Sequence, residues 1–374
     1  MNIKYSYKNY LSLTSNTIFG ISLTRWIRLL VKNRFAIDIR FLPKVIFITG
    51  NVILNIPLQL YEYFRYNKKI KNATVNRPVF ILGHPRSGTT YLQNVLSKDP
   101  NFAFCATYEA LTPLIFLSTG KITKKILELS MPATRPQDNM KIGADMPVEE
   151  EFAMGSISDT SLTHGYYFPK SLFNVFDESV IFGKGRRNFS DHWKKHFDYF
   201  LKKLSYKYHG KRLLLKSPAN TGRMKEIYEL YPDACFIHIH RDPYLVFQSN
   251  INLYEKILPV LSFQKVKNEF VEDFILYSYE KMNRKYLADL AGVPTSQVFE
   301  LSYNDFVSSP LVQLEQAYKH LGLGDFSKAK PFFEEEIEIV NNYRTNAYSS
   351  LDEKTKNIVA EKWSFMFERY AYKK

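Results

Sequence analysis

Cysteine is almost missing from this chain: two residues, Cys105 and Cys235, in 374. Two thiols exclude a disulfide framework and a Cys-based structural zinc set, and they point to a reducing, cytoplasmic compartment. The eight histidines include no HExxH arrangement, so a zinc hydrolase helix is absent too. Internal repeats and low-complexity tracts are lacking. The start MNIKYSYKNYLSL has no compact apolar core and no small-residue cleavage site, so no secretory signal is read there. Long uncharged runs are scarce. Val45 to Tyr61 carries no charge, but with Asn51, Asn55, Pro57 and Gln59 inside it the run is short and polar for a bilayer span.

Acidic residues are few at the start. Up to Arg77 there are thirteen Lys and Arg against only Asp38 and Glu62, which places +11 of the formal net charge of +14 in that segment. The rest of the chain is close to balanced, so composition demands no polynucleotide cleft, and no nucleic-acid partner is expected. The basic segment is also apolar. In TRWIRLLVKNRF (Thr24 to Phe35) basic residues alternate with Trp26, Ile27, Leu29, Leu30, Val31 and Phe35 at helical spacing. Residues 1–75 therefore read as a helical extension that either packs on the rest of the chain or contacts the inner membrane surface.

What is present after NKKIKNATVNR is an α/β pattern over residues 76–374. Val79–Leu82, Arg212–Leu215, Cys235–His240 and Phe299–Ser302 read as short strands. Helices follow at about Thr89–Ser97, Arg223–Leu230, from Pro243 through about Tyr254, and from Pro310 to a stop at Gly322, with Ser309 as N-cap. Strands alternating with helices imply a mostly parallel sheet flanked by helices, with ligands beyond the carboxyl ends of the strands.

The segment VFILGHPRSGTTYLQNVL runs strand, glycine loop, helix N-terminus, an order that aims backbone N–H groups at an anion. Gly83 and Gly88 keep the spacing of an NTPase phosphate loop, yet Thr89 stands where its lysine belongs and the cation is Arg86, inside the loop. Loss of that lysine argues against magnesium-dependent ATP or GTP hydrolysis.

GHPRSGTTYL resembles the 5′-phosphosulfate loop of the sulfotransferases that use 3′-phosphoadenosine 5′-phosphosulfate (PAPS), in the branch with an Arg-Ser-Gly-Thr-Thr loop that holds many bacterial enzymes and the tyrosylprotein sulfotransferases. The resemblance implies a P-loop-type α/β fold, no metal, PAPS as cofactor with PAP as product, and Arg86, Ser87, Gly88, Thr89 and Thr90 around the phosphosulfate. IHIHRDPYLVFQSN resembles the family's 3′-phosphate segment, which gives Arg241 and Ser249 that role. A guanidinium and a hydroxyl suit it chemically. LSYNDFV resembles the segment whose tyrosine lies by the adenine, here Tyr303, although Ser302 replaces the usual basic residue. LLLKSPAN resembles the strand whose terminal lysine, here Lys216, stabilises charge on the leaving oxygen.

Sulfuryl transfer needs in-line positioning, charge neutralisation and a base for the acceptor hydroxyl. Glu109, in the segment after the loop helix where this branch carries its catalytic glutamate, is the first candidate base. Glu149, Glu150 and Glu151, in RPQDNMKIGADMPVEEEFAM, are rivals for base or acceptor contact, since that stretch resembles a motif of the bacterial branch. His164 is a third option, because cytosolic animal members use histidine. With 29 Phe, 26 Tyr and an amphipathic N-terminus, the acceptor reads as a hydrophobic alcohol such as a sterol or lipid. A carbohydrate, phenol or tyrosine is the alternative. A P-loop kinase and a noncatalytic membrane-surface protein are the readings from other classes.

Overall fold

Val79–Leu82 (β1) is buried along its whole length and pairs in parallel on both sides: Val79 aligns with Leu214 of β3 (Arg212–Lys216) and with Cys235 of β4 (Cys235–His240). Phe102–Phe104 (β2) joins the far edge of β3, and Val298–Ser302 (β5) joins β4, also in parallel. The strand order is β2-β3-β1-β4-β5. Continuous apolar runs such as VFIL and CFIHI suit a parallel sheet covered on both faces. Strand β2 was not expected from the sequence; at three residues it carries too little pattern to be read.

These elements come from a computed structural model, which describes residues 1–12, 16–131, 134, 141–183, 188–341 and 351–374. The chain forms two compact units. The sheet belongs to the unit made of Val75–Phe104, Lys211–Ile251 and Ile275–Lys374. Its core places Leu92, Val95 and Leu96, from one face of the helix Thr89–Leu96, with Ile81, Ile237 and Ile239 of the strands. The helix Pro310–Leu321 ends at Gly322, whose φ of +57° makes the left-handed stop expected there; Ser309 precedes it but its hydroxyl makes no capping bond.

The other unit combines Met1–Thr74 with Cys105–Gly210 and Asn252–Phe274. The segment Met1–Thr74 packs within this unit rather than by itself. Leu23–Lys32 and Leu42–Leu54 are helices whose Trp26, Leu29, Val45, Ile48 and Val52 share a core with Tyr167, Phe168 and Phe263. Trp26 Nε1 donates to Thr49 Oγ1 at 2.9 Å, and Tyr167 Oη accepts from Thr17 N at 2.7 Å. Among the described residues no single helix is long and apolar enough to cross a membrane; Ile39–Leu54 and Ile56–Lys71 reach that composition only as a pair bent by 43°.

Candidate active site

In the sheet unit, Gly83 to Gly88 turn the chain from β1 into the helix Thr89–Leu96. Gly83 and Gly88 have φ of +144° and +104°. A Cβ on Gly83 would stand 2.5 Å from Ile239 O, and one on Gly88 2.4 Å from the Tyr303 ring, so both positions need glycine on steric as well as conformational grounds. Arg86 is the unusual member, a non-glycine at φ +75°. That left-handed residue turns its guanidinium to Ser249, with Nε donating to Ser249 Oγ at 2.8 Å. Two motifs 163 residues apart are thereby joined.

Arg241 follows the end of β4. Its Nη1 donates to Arg86 O at 3.4 Å and its guanidinium stacks 4.2 Å from the centroid of Tyr303, the residue that follows β5. The neighbouring Asp242 is engaged elsewhere, accepting from Tyr244 N and Leu245 N at the start of the next helix. Lys216 closes β3, is buried, and donates from Nζ to Thr90 Oγ1 at 3.3 Å. Arg86, Ser249, Arg241, Tyr303, Lys216 and Thr90 therefore converge at the carboxyl ends of four parallel strands, although sequence scatters them over more than 200 positions.

The cradle fits an anionic nucleotide. Ser87 Oγ and Arg241 Nε are buried with no hydrogen-bond partner among the described residues, and such atoms are rare unless a ligand completes them. The helix Thr89–Leu96 begins at the loop and adds the positive end of its dipole. Two further residues hold the loop from behind. Thr221 Oγ1 accepts from Gly83 N at 2.7 Å, and Asn250 Nδ2 donates to Pro85 O at 3.0 Å. Neither was expected to matter. Asn250 sits beside Ser249 in QSN, which is a usable signal; Thr221 carries none.

The carboxylates belong to the other unit. Glu109 is fully buried in the short helix Thr107–Leu111, and its Oε2 accepts from its own helix start, Ala106 N, at 2.7 Å. Oε1 accepts from Tyr208 Oη at 2.8 Å and from Lys207 Nζ. Burial raises the Glu109 carboxyl above the usual carboxylate range, while Lys207 pulls the other way. Burial likewise works against the Lys207 charge, yet Glu109 and Tyr108 outweigh it and hold the ammonium above its ordinary range. Lys207 closes the helix Phe189–Lys207; one turn earlier Lys203 makes a buried pair with Glu62. No sequence signal marked Lys207, Tyr208 or Lys203.

Of the rival carboxylates, Glu151 is tied to a loop. Glu151 Oε1 accepts from Ser161 Oγ and from Leu162 N, each at 2.7 Å. Glu150 is buried and Glu149 half-buried. Residues 135–140 of the stretch that precedes them lie outside the described residues. His164 is buried, its Nε2 bonded to Gly155 O at 2.8 Å, and burial lowers its pKa, so a neutral imidazole donates there. The described residues include no cluster of three or more His, Cys, Asp or Glu able to hold a metal.

Residues 78–327 match the Sulfotransferase family. The chain belongs to the sulfotransferase family. A curated relative, the omega-hydroxy-beta-dihydromenaquinone-9 sulfotransferase Stf3 of Mycobacterium bovis, is 30% identical over 356 residues, 94% of this chain and 90% of the relative, and the Mycobacterium tuberculosis Stf3 matches equally. Two solved structures share the fold at 16% identity. Sulfotransferase STF9 from Mycobacterium avium has a TM-score of 0.68 over 98% of this chain and 97% of that one, and sulfotransferase STF1 from M. tuberculosis H37Rv a TM-score of 0.63 over 96% and 97%. The P-loop-type sheet with flanking helices is the sulfotransferase fold.

Proposed function

We propose that this sulfotransferase takes its sulfuryl group from PAPS and places it on the hydroxyl of a hydrophobic, lipid-like alcohol. The observation that carries the nucleotide assignment is the joining of Arg86 to Ser249 and of Arg241 to Tyr303 around one glycine loop. One region can then hold two phosphates and a base: loop amides with Ser87, Thr89 and Thr90 for the 5′ end, Arg241 and Ser249 for the 3′-phosphate, and the Tyr303 ring for adenine. When bound, the nucleotide supplies an activated sulfuryl group with PAP as leaving group.

The chain's own residues supply the rest. Glu109 takes the proton of the acceptor hydroxyl as its oxygen bonds to sulfur, and Lys216 with Arg86 balances the charge on the phosphate oxygen as the sulfur–oxygen bond breaks. Lys207 and Tyr208 fix the orientation of the Glu109 carboxylate and oppose the rise of its pKa that burial causes. Glu109 is preferred over Glu151 because Glu151 anchors a loop through Ser161 Oγ and Leu162 N, and over His164 because that imidazole bonds a backbone carbonyl. The lipid acceptor is supported by the Stf3 relatives, whose name gives an omega-hydroxylated dihydromenaquinone as the molecule acted on.

The test is thermal: PAP at a hundredfold excess over its dissociation constant should add about 2.7 kcal/mol of stability without metal. Arg241→Ala should cut that gain to about 0.4–1.4 kcal/mol at the same PAP concentration. Turnover of labelled PAPS with isoprenoid alcohols, sterols, phenols and sugars then ranks acceptors, and exclusive sulfation of a free sugar would overturn the lipid reading.

A further inference from the structure

The helix Leu42–Leu54 is apolar on two faces, but only one is covered. Val45, Ile48 and Val52 face the core, whereas Leu42, Ile46 and Ile53, at helical spacing from one another, are exposed, Ile46 by 63%. A helix that is apolar all round is normally buried all round. The next helix, Ile56–Lys71, continues the pattern. Leu54, Leu58, Tyr61 and Phe64 are exposed, Phe64 by 81%, and Lys68, Lys69 and Lys71 fill the last turn. An apolar band followed by a basic band is the layout of a helix lying in a lipid interface.

We infer that this face docks onto an anionic lipid bilayer. Charge selects that occupant. Of the two acidic residues up to Arg77, Glu62 is buried against Lys203 and accepts from Ser118 N, and Asp38 accepts from Arg40 N at the start of a turn. Among the described residues Arg65, Lys68, Lys69 and Lys71 form no ion pair, and two copies of such a basic face repel each other. The helices lie on the surface rather than cross it, because the covered side of Leu42–Leu54 is tied to the protein. Lys44 on that side is fully buried and donates to Val260 O. Docking would bring the enzyme to membrane-dissolved alcohols, but the inference needs neither PAPS nor a lipid acceptor.

The experiment is co-sedimentation of the full chain with phosphatidylcholine vesicles, with and without one-third phosphatidylglycerol, at low and high salt. Binding is expected to the anionic vesicles, weakening with salt. Each lysine near the surface contributes about a factor of five to affinity, so Lys68→Gln/Lys69→Gln/Lys71→Gln together should weaken binding on the order of a hundredfold. Ile46→Asp and Phe64→Asp, both at exposed positions, should each reduce it further while leaving the melting temperature unchanged. No binding by the wild type, binding unaffected by these variants, or a concentration-dependent dimer that Phe64→Asp dissociates would each overturn the inference. Failure of the PAPS reading would instead appear as loss of the PAP-induced thermal shift with vesicle binding intact.

Discussion

The proposed nucleotide cradle and the surroundings of Glu109 are built by opposite means. Four parts of the cradle sit at or just past the end of a strand, so a short motif carries both a side chain and the backbone that places it: Arg86 after β1, Lys216 at the end of β3, Arg241 after β4, Tyr303 after β5. Around Glu109, only the bond to Ala106 N is local; Lys207 and Tyr208 arrive from about a hundred residues away. Anion binding uses amides and a helix end, which any strand-loop-helix supplies. Tuning one buried carboxylate takes specific partners from another element.

The sharpest break of this contrast is Glu109→Gln. Turnover should fall by about 10² to 10⁴ while PAP binding, measured by calorimetry, stays within a few-fold; retained turnover would move the base to Glu149–Glu151. Arg241→Ala comes next. Loss of charge-assisted bonds to a phosphate, about 1.5–3 kcal/mol each, should weaken PAP by at least tenfold to a hundredfold with the apo melting temperature little changed.

Gly88→Ala probes the loop alone. A Cβ against the Tyr303 ring at positive φ should cost about 1–3 kcal/mol and weaken PAP, with the Glu109 pocket untouched. Lys207→Met separates the regions from the other side. Since Lys207 opposes the burial-driven rise of the Glu109 pKa, its removal should push that pKa higher and move the acid limb of the pH–rate profile to higher pH. Lys207→Arg should restore it, and an unmoved limb would free Glu109 from this role.

The last effect leaves both regions' chemistry alone and concerns stability. Burial lowers the pKa of His240, the residue before Arg241, to about 4. The unfolded chain therefore binds the extra proton between about pH 6.5 and 4, and stability falls as pH drops through that window, by up to about 1.4 kcal/mol per pH unit from this group. His240→Gln should flatten that share in acid denaturation monitored by circular dichroism.

The sheet was readable because its central strands are short, largely apolar and buried, and the loop because glycine spacing and a displaced cation are visible in eight residues. Gly83 and Gly88 show why: only glycine accepts their φ and their neighbours. Strand β2 lacked the length to register. The N-terminal helices were legible as helices, but whether they pack or face outward was open in the sequence, because an apolar residue looks the same in a core and on a lipid-facing surface.

What the sequence alone determined, then, is the sulfotransferase fold and the chemistry of its phosphate loop, since both rest on local backbone geometry and short spacings. Only the tertiary structure decided that Arg86 meets Ser249, that Lys207 and Tyr208 surround Glu109, and that Ile46 and Phe64 face outward while Val45 and Ile48 do not. Those outcomes depend on which elements pack together, and side chains that meet across a hundred residues leave no periodicity in the chain that brings them there.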